Sequence, residues 1–207
     1  MAETVSPAVA GLGLGIALAS APGPLQAVLL SESIRGGVAR GFRAMAGASV
    51  TFGLLLLVLA LGVSVAAPSG TVLRILEITG GALLVVLAVD GFRARPRPDS
   101  ANGGRRELPP EARGSLAVLL NPGAWLFLAT AASSLFAAAT QEGGTDAALL
   151  AALALVLGLA AGDGAVVLIG GLGVRRAGER VGLWVRRGLA MVLAALGVAL
   201  IVRGVVS

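Results

Sequence analysis

Residues 44–73 carry no charged side chain, and neither do residues 114–141. About 20 apolar residues suffice for a helix to cross roughly 30 Å of hydrocarbon. Two uncharged runs of this length are therefore hard to place in a water-soluble fold. The rest of the chain agrees: 57% of its 207 residues are hydrophobic and 13% are charged, where soluble domains carry about 25% charge, and the mean hydropathy is +0.93. The sequence is read as an all-α integral membrane protein.

Charges divide the chain into six spans, near residues 8–30, 44–67, 72–92, 115–138, 147–170 and 185–205. The third is trimmed by Arg74 and Glu77 at one end and Asp90 at the other; Arg74 and Glu77 stand at i,i+3, a spacing at which they can pair. All 16 basic residues are arginines. Fourteen of them fall after spans one, three and five: Arg35, Arg40 and Arg43, then six from Arg93 to Arg113, then five from Arg175 to Arg187. By the positive-inside rule these loops are cytoplasmic and both termini lie outside. The arginines set topology rather than bind nucleic acid, since aromatic residues make up only 3% of the chain and supply no stacking platform. Ala17-Leu18-Ala19 looks like a signal-peptidase site, yet Glu3 and the lack of a basic residue before it argue against cleavage.

With no Cys and no His, the chain has no disulfides, no thiol chemistry, no Ser-His nucleophile and no zinc, copper or haem ligands of the usual kinds. No metal and no cofactor are expected. The segment 93–114 is rich in Pro, Gly and mixed charge and reads as a mobile cytoplasmic linker. It divides the chain into a first three-helix transmembrane repeat, 1–92, and a second, 115–207. Three spans on each side of a cytoplasmic linker must run in opposite directions, which is the arrangement of two inverted repeats.

The first helix of each half is broken. Span one contains Pro22, Gly23 and Pro24, and span four contains Asn121, Pro122 and Gly123. Proline removes a backbone donor and crowds the carbonyl four residues earlier. Such breaks are tolerated at membrane depth where they line a cavity, and paired interruptions in the two halves point to a transporter site. A half-helix N-terminus there suits a substrate carboxylate, with Gln26 and Asn121 as side-chain donors. Asp163 is the one acid well inside an apolar span and is assigned to a substrate ammonium or a coupling proton. A weaker correspondence aligns Gly47-Ala48-Ser49-Val50-Thr51-Phe52 with Gly158-Leu159-Ala160-Ala161-Gly162-Asp163 in the middle spans of the two halves.

Taken together, Ala21-Pro22-Gly23-Pro24, the following SESIRGGVARGFRAMAGASV, TGGALLVVLAVDGFRA at the end of the first half and Asn121-Pro122-Gly123 resemble the LysE/RhtB family of amino-acid exporters. The resemblance covers nearly the whole chain apart from the linker. It implies proton-driven efflux of amino acids or related small metabolites across the bacterial cytoplasmic membrane by alternating access, often as a homodimer. One position departs from the family pattern: Thr51-Phe52 stands in the second span where the family commonly has Gly-Asp.

Two rival classes compete with this reading. A non-transporting membrane scaffold or lipid-interacting protein would be favoured if the two breaks were packed dry. An intramembrane aspartyl protease would need Asp90 to face Asp163, but Asp90 sits at a span end beside Arg93, and Ala160 replaces the first glycine of a G-x-G-D pattern. The GLGLG at residues 11–15 follows no strand and is read as a close-packing surface, not a nucleotide loop.

Overall fold

The computed structural model describes residues 6–21, 23–62, 70–93 and 108–206, and within these every regular element is a helix. The linker residues 94–107 and the side chain of Asp90 lie outside the described residues; residues 110–114, assigned by sequence to the linker, instead form the first turn of a helix that buries Pro110, Arg113 and Gly114. In chain order the helices are α1 (Pro7–Ser20), α2 (Pro24–Ala60), α3 (Gly70–Arg93), α4 (Pro110–Leu119), α5 (Pro122–Phe127), a π turn (Leu128–Ala132) and α6 (Ser133–Val206). Within them three stretches are long and apolar enough to cross a membrane: Pro24–Ala60, Gly70–Val89 and Pro122–Gly173. Two shorter apolar helices, Pro7–Ser20 and Ala190–Val206, flank them in sequence. The protein is thus helical and built for a bilayer.

Two of the helices are not straight rods. Helix α2 leaves helical geometry at Gly36 and Gly37, where Gly37 takes φ 77°. Helix α6 has a second left-handed residue, Gly144, at φ 70°. Both glycines occupy a backbone region that a Cβ disfavours, and both fall where the sequence reading ends one span and begins the next.

Close approach at glycines sets how these segments pack. Gly11 lies against Ala151, Gly15 against Leu155 and Leu159, and Gly162 against Ala19, so α1 runs parallel to residues 151–162. Gly170 and Gly171 extend the same pairing to Leu30, Ser33 and Val38. The second limb of α2 pairs with α4 in the same sense, Arg43 meeting Glu111 at one end and Phe52 sharing a cavity wall with Val118 at the other, while Gly114 lies against Ala44 and Ala48 between them. Gly81 and Val85 meet Gly197, and Arg74 meets Gly204, so α3 runs antiparallel to the end of α6. A methyl group on Gly114 would collide with the backbone carbonyl of Ala44, which cannot swing aside as a side chain could. Gly114→Ala is expected to destabilise the protein by about 1–3 kcal/mol, measured as a lowered unfolding midpoint in detergent; an unchanged midpoint would mean that the α2–α4 contact yields freely.

The α2–α4 contact also carries an exposed ion pair, Arg43 Nε donating to Glu111 Oε1 at 2.5 Å. The hydrogen bond from Arg43 holds the Glu111 carboxyl below its ordinary range. Being exposed, the pair contributes little to stability. The core beneath is almost wholly aliphatic, with Leu29, Leu56, Leu128, Leu155, Ala44 and Ala148 inaccessible to solvent.

Candidate functional site

The first break begins where α1 stops. Ala21 N–H turns back to Leu18 O at 3.2 Å, and Gly23 is fully extended ahead of Pro24, the first residue of α2. Gly23 brings no side chain to cap α2, and Pro24 has no N–H. Ala27 N–H reaches Gly23 O at 3.1 Å, but the N–H groups of Leu25 and Gln26 have no acceptor among the described residues. Among the described residues, the start of α2 therefore has no capping acceptor at the positive end of its helix dipole.

The second break is built differently. Asn121 caps α5, its Oδ1 accepting from Gly123 N at 3.0 Å while its backbone oxygen accepts from Ala124 N at 3.0 Å and Trp125 N at 3.4 Å. The α5 donors are thus committed within their own turn. What this break leaves available is the amide NH2 of Asn121. Trp125 Nε1 donates to Leu119 O at 2.8 Å and anchors the end of α4 to α5. The π turn that follows is bridged by Ser133 Oγ, which donates to Leu128 O at 2.7 Å.

These two breaks, about a hundred residues apart in sequence, line one cavity of about 220 Å³. Ala21, Gly23, Pro24 and Gln26 contribute from one side, Asn121 and Gly123 from the other. Leu18, Leu25, Phe52, Val118, Ala124 and Leu159 complete the wall. Behind Gln26 sits Asp163, wholly buried, whose Oδ1 receives Gln26 Nε2 at 3.5 Å. Gln26 Nε2 also donates to Ala19 O at 3.3 Å. Asp163 Oδ2 has no hydrogen-bond partner among the described residues, an unusual state for a buried carboxylate oxygen. Gln26 is thus the described side chain that both lines the cavity and hydrogen-bonds to the buried acid.

A family model for LysE type translocators matches residues 16–204, a stretch that includes both breaks, Phe52 and Asp163. The chain belongs to the LysE type translocator family. The family is one of transporters, not of enzymes, and membership together with the long apolar helices makes this chain a multi-pass membrane protein. No curated protein and no solved structure matches the chain.

Of the residues singled out in this LysE type translocator by sequence, Gly23, Pro24, Gln26, Asn121 and Gly123 meet at the cavity. Pro122 is buried at the start of α5 and is not part of the cavity wall; Asp163 stands one layer back. Pro22 lies outside the described residues.

Two features escaped the sequence reading. Glu32, 1% exposed, is the hub of an arginine cluster: Arg113 Nη1 lies 2.9 Å from its Oε1, Arg40 Nε 2.6 Å from its Oε2, and Arg35 3.8 Å away. Arg113, grouped by sequence with the topology-setting arginines of the linker, is itself only 2% exposed and donates from Nε to Leu108 O at 3.1 Å. The pairing of Glu77 also differs from the expectation. Its ion pair goes to Arg203 Nε at 2.9 Å rather than to Arg74, because Glu77 faces the end of α6, where Gly204 allows close approach. A signal was present for the first feature, since Glu32 is the lone acid before three arginines, but nothing in the sequence links it to Arg113.

Proposed function

We propose that the protein is a secondary transporter that exports amino acids or related small metabolites across the bacterial cytoplasmic membrane by proton-coupled alternating access. The observation that carries this reading is the cavity itself: two helix breaks from opposite halves of the chain open onto one space, where the side chains of Gln26 and Asn121 supply polar groups. A scaffold has no need of such a cavity, and dry packing of the breaks would have favoured one.

The packing pattern supports two inverted repeats, residues 1–92 and 115–207, joined by the cytoplasmic linker 93–114. Exchanging spans one, two and three for four, five and six turns the parallel pair of one and five into that of four and two. It returns the antiparallel pair of three and six to itself. Both pairings occur at the glycine contacts of the fold. This pattern and the arginine distribution together support a reading of six spans with both termini outside.

In this reading the N–H groups of Leu25 and Gln26 and the amide of Asn121 hold the substrate carboxylate at the breaks formed by Pro22–Pro24 and Asn121–Gly123. Asp163 takes the ammonium or carries the proton, reached through displacement of Gln26. Lipid surrounds the bundle, and a homodimer is the working assembly. Counterflow of labelled amino acids in proteoliposomes, with and without a pH gradient, tests the proposal. Exchange that accelerates with the gradient supports it, whereas an inert protein across amino acids and small metabolites would remove transport of this class.

A further inference from the structure

Among the described residues, every side chain that lines the cavity is uncharged. The polar groups cluster at the two breaks, as the amides of Gln26 and Asn121 and the backbone of Gly23, while Leu18, Phe52, Val118 and Leu159 make the rest apolar. At about 220 Å³ the space falls below the roughly 300–1,000 Å³ of pockets that hold drug-sized ligands. It is large enough for one amino acid.

Phe52 dominates the apolar side. It is 3% exposed, and its ring is held against Phe127 at 6.0 Å between centroids with the planes tilted by 35°. A buried ring packed on a second ring makes this side of the cavity a continuous apolar wall. A substrate side chain lying against it leaves water and meets only carbon. An aliphatic group gains from that burial, while an ammonium, guanidinium or carboxylate at its tip loses hydration with no counter-charge in the wall.

We propose that this cavity takes an amino acid with an uncharged aliphatic side chain of valine or leucine size, and that Phe52 is the residue that sets the preference. The inference rests on the transporter reading and goes beyond it by naming the class of side chain. The main-chain ammonium and carboxylate stay at the breaks and Asp163, and selectivity resides in the wall opposite them.

The test is a counterflow panel on the full chain in proteoliposomes with labelled leucine, valine, phenylalanine, lysine and glutamate, repeated for Phe52→Ala. Leucine and valine are expected to exchange, with lysine and glutamate slower by on the order of 100-fold. Phe52→Ala is expected to raise phenylalanine exchange relative to leucine by about tenfold, as the vacated ring volume admits the larger side chain. Should Phe52→Ala fail to fold, Phe52→Leu is expected to move the ratio the same way by a smaller factor. Lysine or glutamate exchanging as fast as leucine in the natural chain would overturn the inference and leave the transporter reading standing. So would a phenylalanine-to-leucine ratio that neither variant changes. Exchange of none of the five would overturn both.

Discussion

Glu32→Ala is expected to cost about 3–5 kcal/mol of stability, the range for removing one partner of a buried ion pair. The carboxylate is 1% exposed and lies within 3 Å of two guanidinium groups, one of them also buried. Its loss removes a carboxylate shared by three arginines, of which Arg113 is itself buried. Arg40→Ala gives the internal contrast. Its side chain is 29% exposed, so water replaces much of what is lost, and about 1 kcal/mol is expected. Unfolding in mixed micelles of increasing denaturing detergent, followed by helical circular dichroism, reads both. Equal and small losses for the two variants would show that the cluster is hydrated in the membrane and contributes little.

For Asp163→Asn the expected result is the collapse of gradient-driven accumulation with counterflow retained. Each pH unit across the membrane is worth about 1.4 kcal/mol per coupled proton, or tenfold in substrate concentration. Across a gradient of about two units, a carrier moving one proton per substrate sustains roughly 100-fold accumulation. A variant that has lost its proton carrier sustains none. Asparagine keeps the shape and an oxygen for Gln26, so the packing around this wholly buried position is preserved. Accumulation that survives the substitution would make Asp163 a structural anchor for Gln26 and move proton coupling elsewhere.

The sequence made the breaks legible because proline and glycine act through their own backbones, so Pro24, Asn121 and Gly123 declare themselves without knowledge of any partner. Asp163 was legible for a related reason: a charge inside an apolar span is conspicuous whatever surrounds it. Gln26 was visible as a donor, but its link to Asp163 across 137 residues was not. The Glu32–Arg113 contact escaped because a charge at a span end reads as solvated, and whether it is depends on which helix covers it. The arginine rule describes where such residues lie along the membrane normal and says nothing about burial. Arg74 and Glu77 failed for the same reason, a local spacing rule losing to a contact with the distant end of α6.

The Glu32–Arg113 pair also imposes an order on biogenesis. The two residues are 81 positions apart, and at about 5–20 residues per second roughly 4–16 s of synthesis separate them. During that interval the carboxylate already sits at the end of an inserted helix while its buried partner has not yet been made. Arg35 and Arg40, encoded within eight residues of it, emerge almost at once and can neutralise it in the meantime. The local arginines thus serve as temporary counter-ions for the nascent chain, and the arrival of α4 converts a half-hydrated charge into a sealed one.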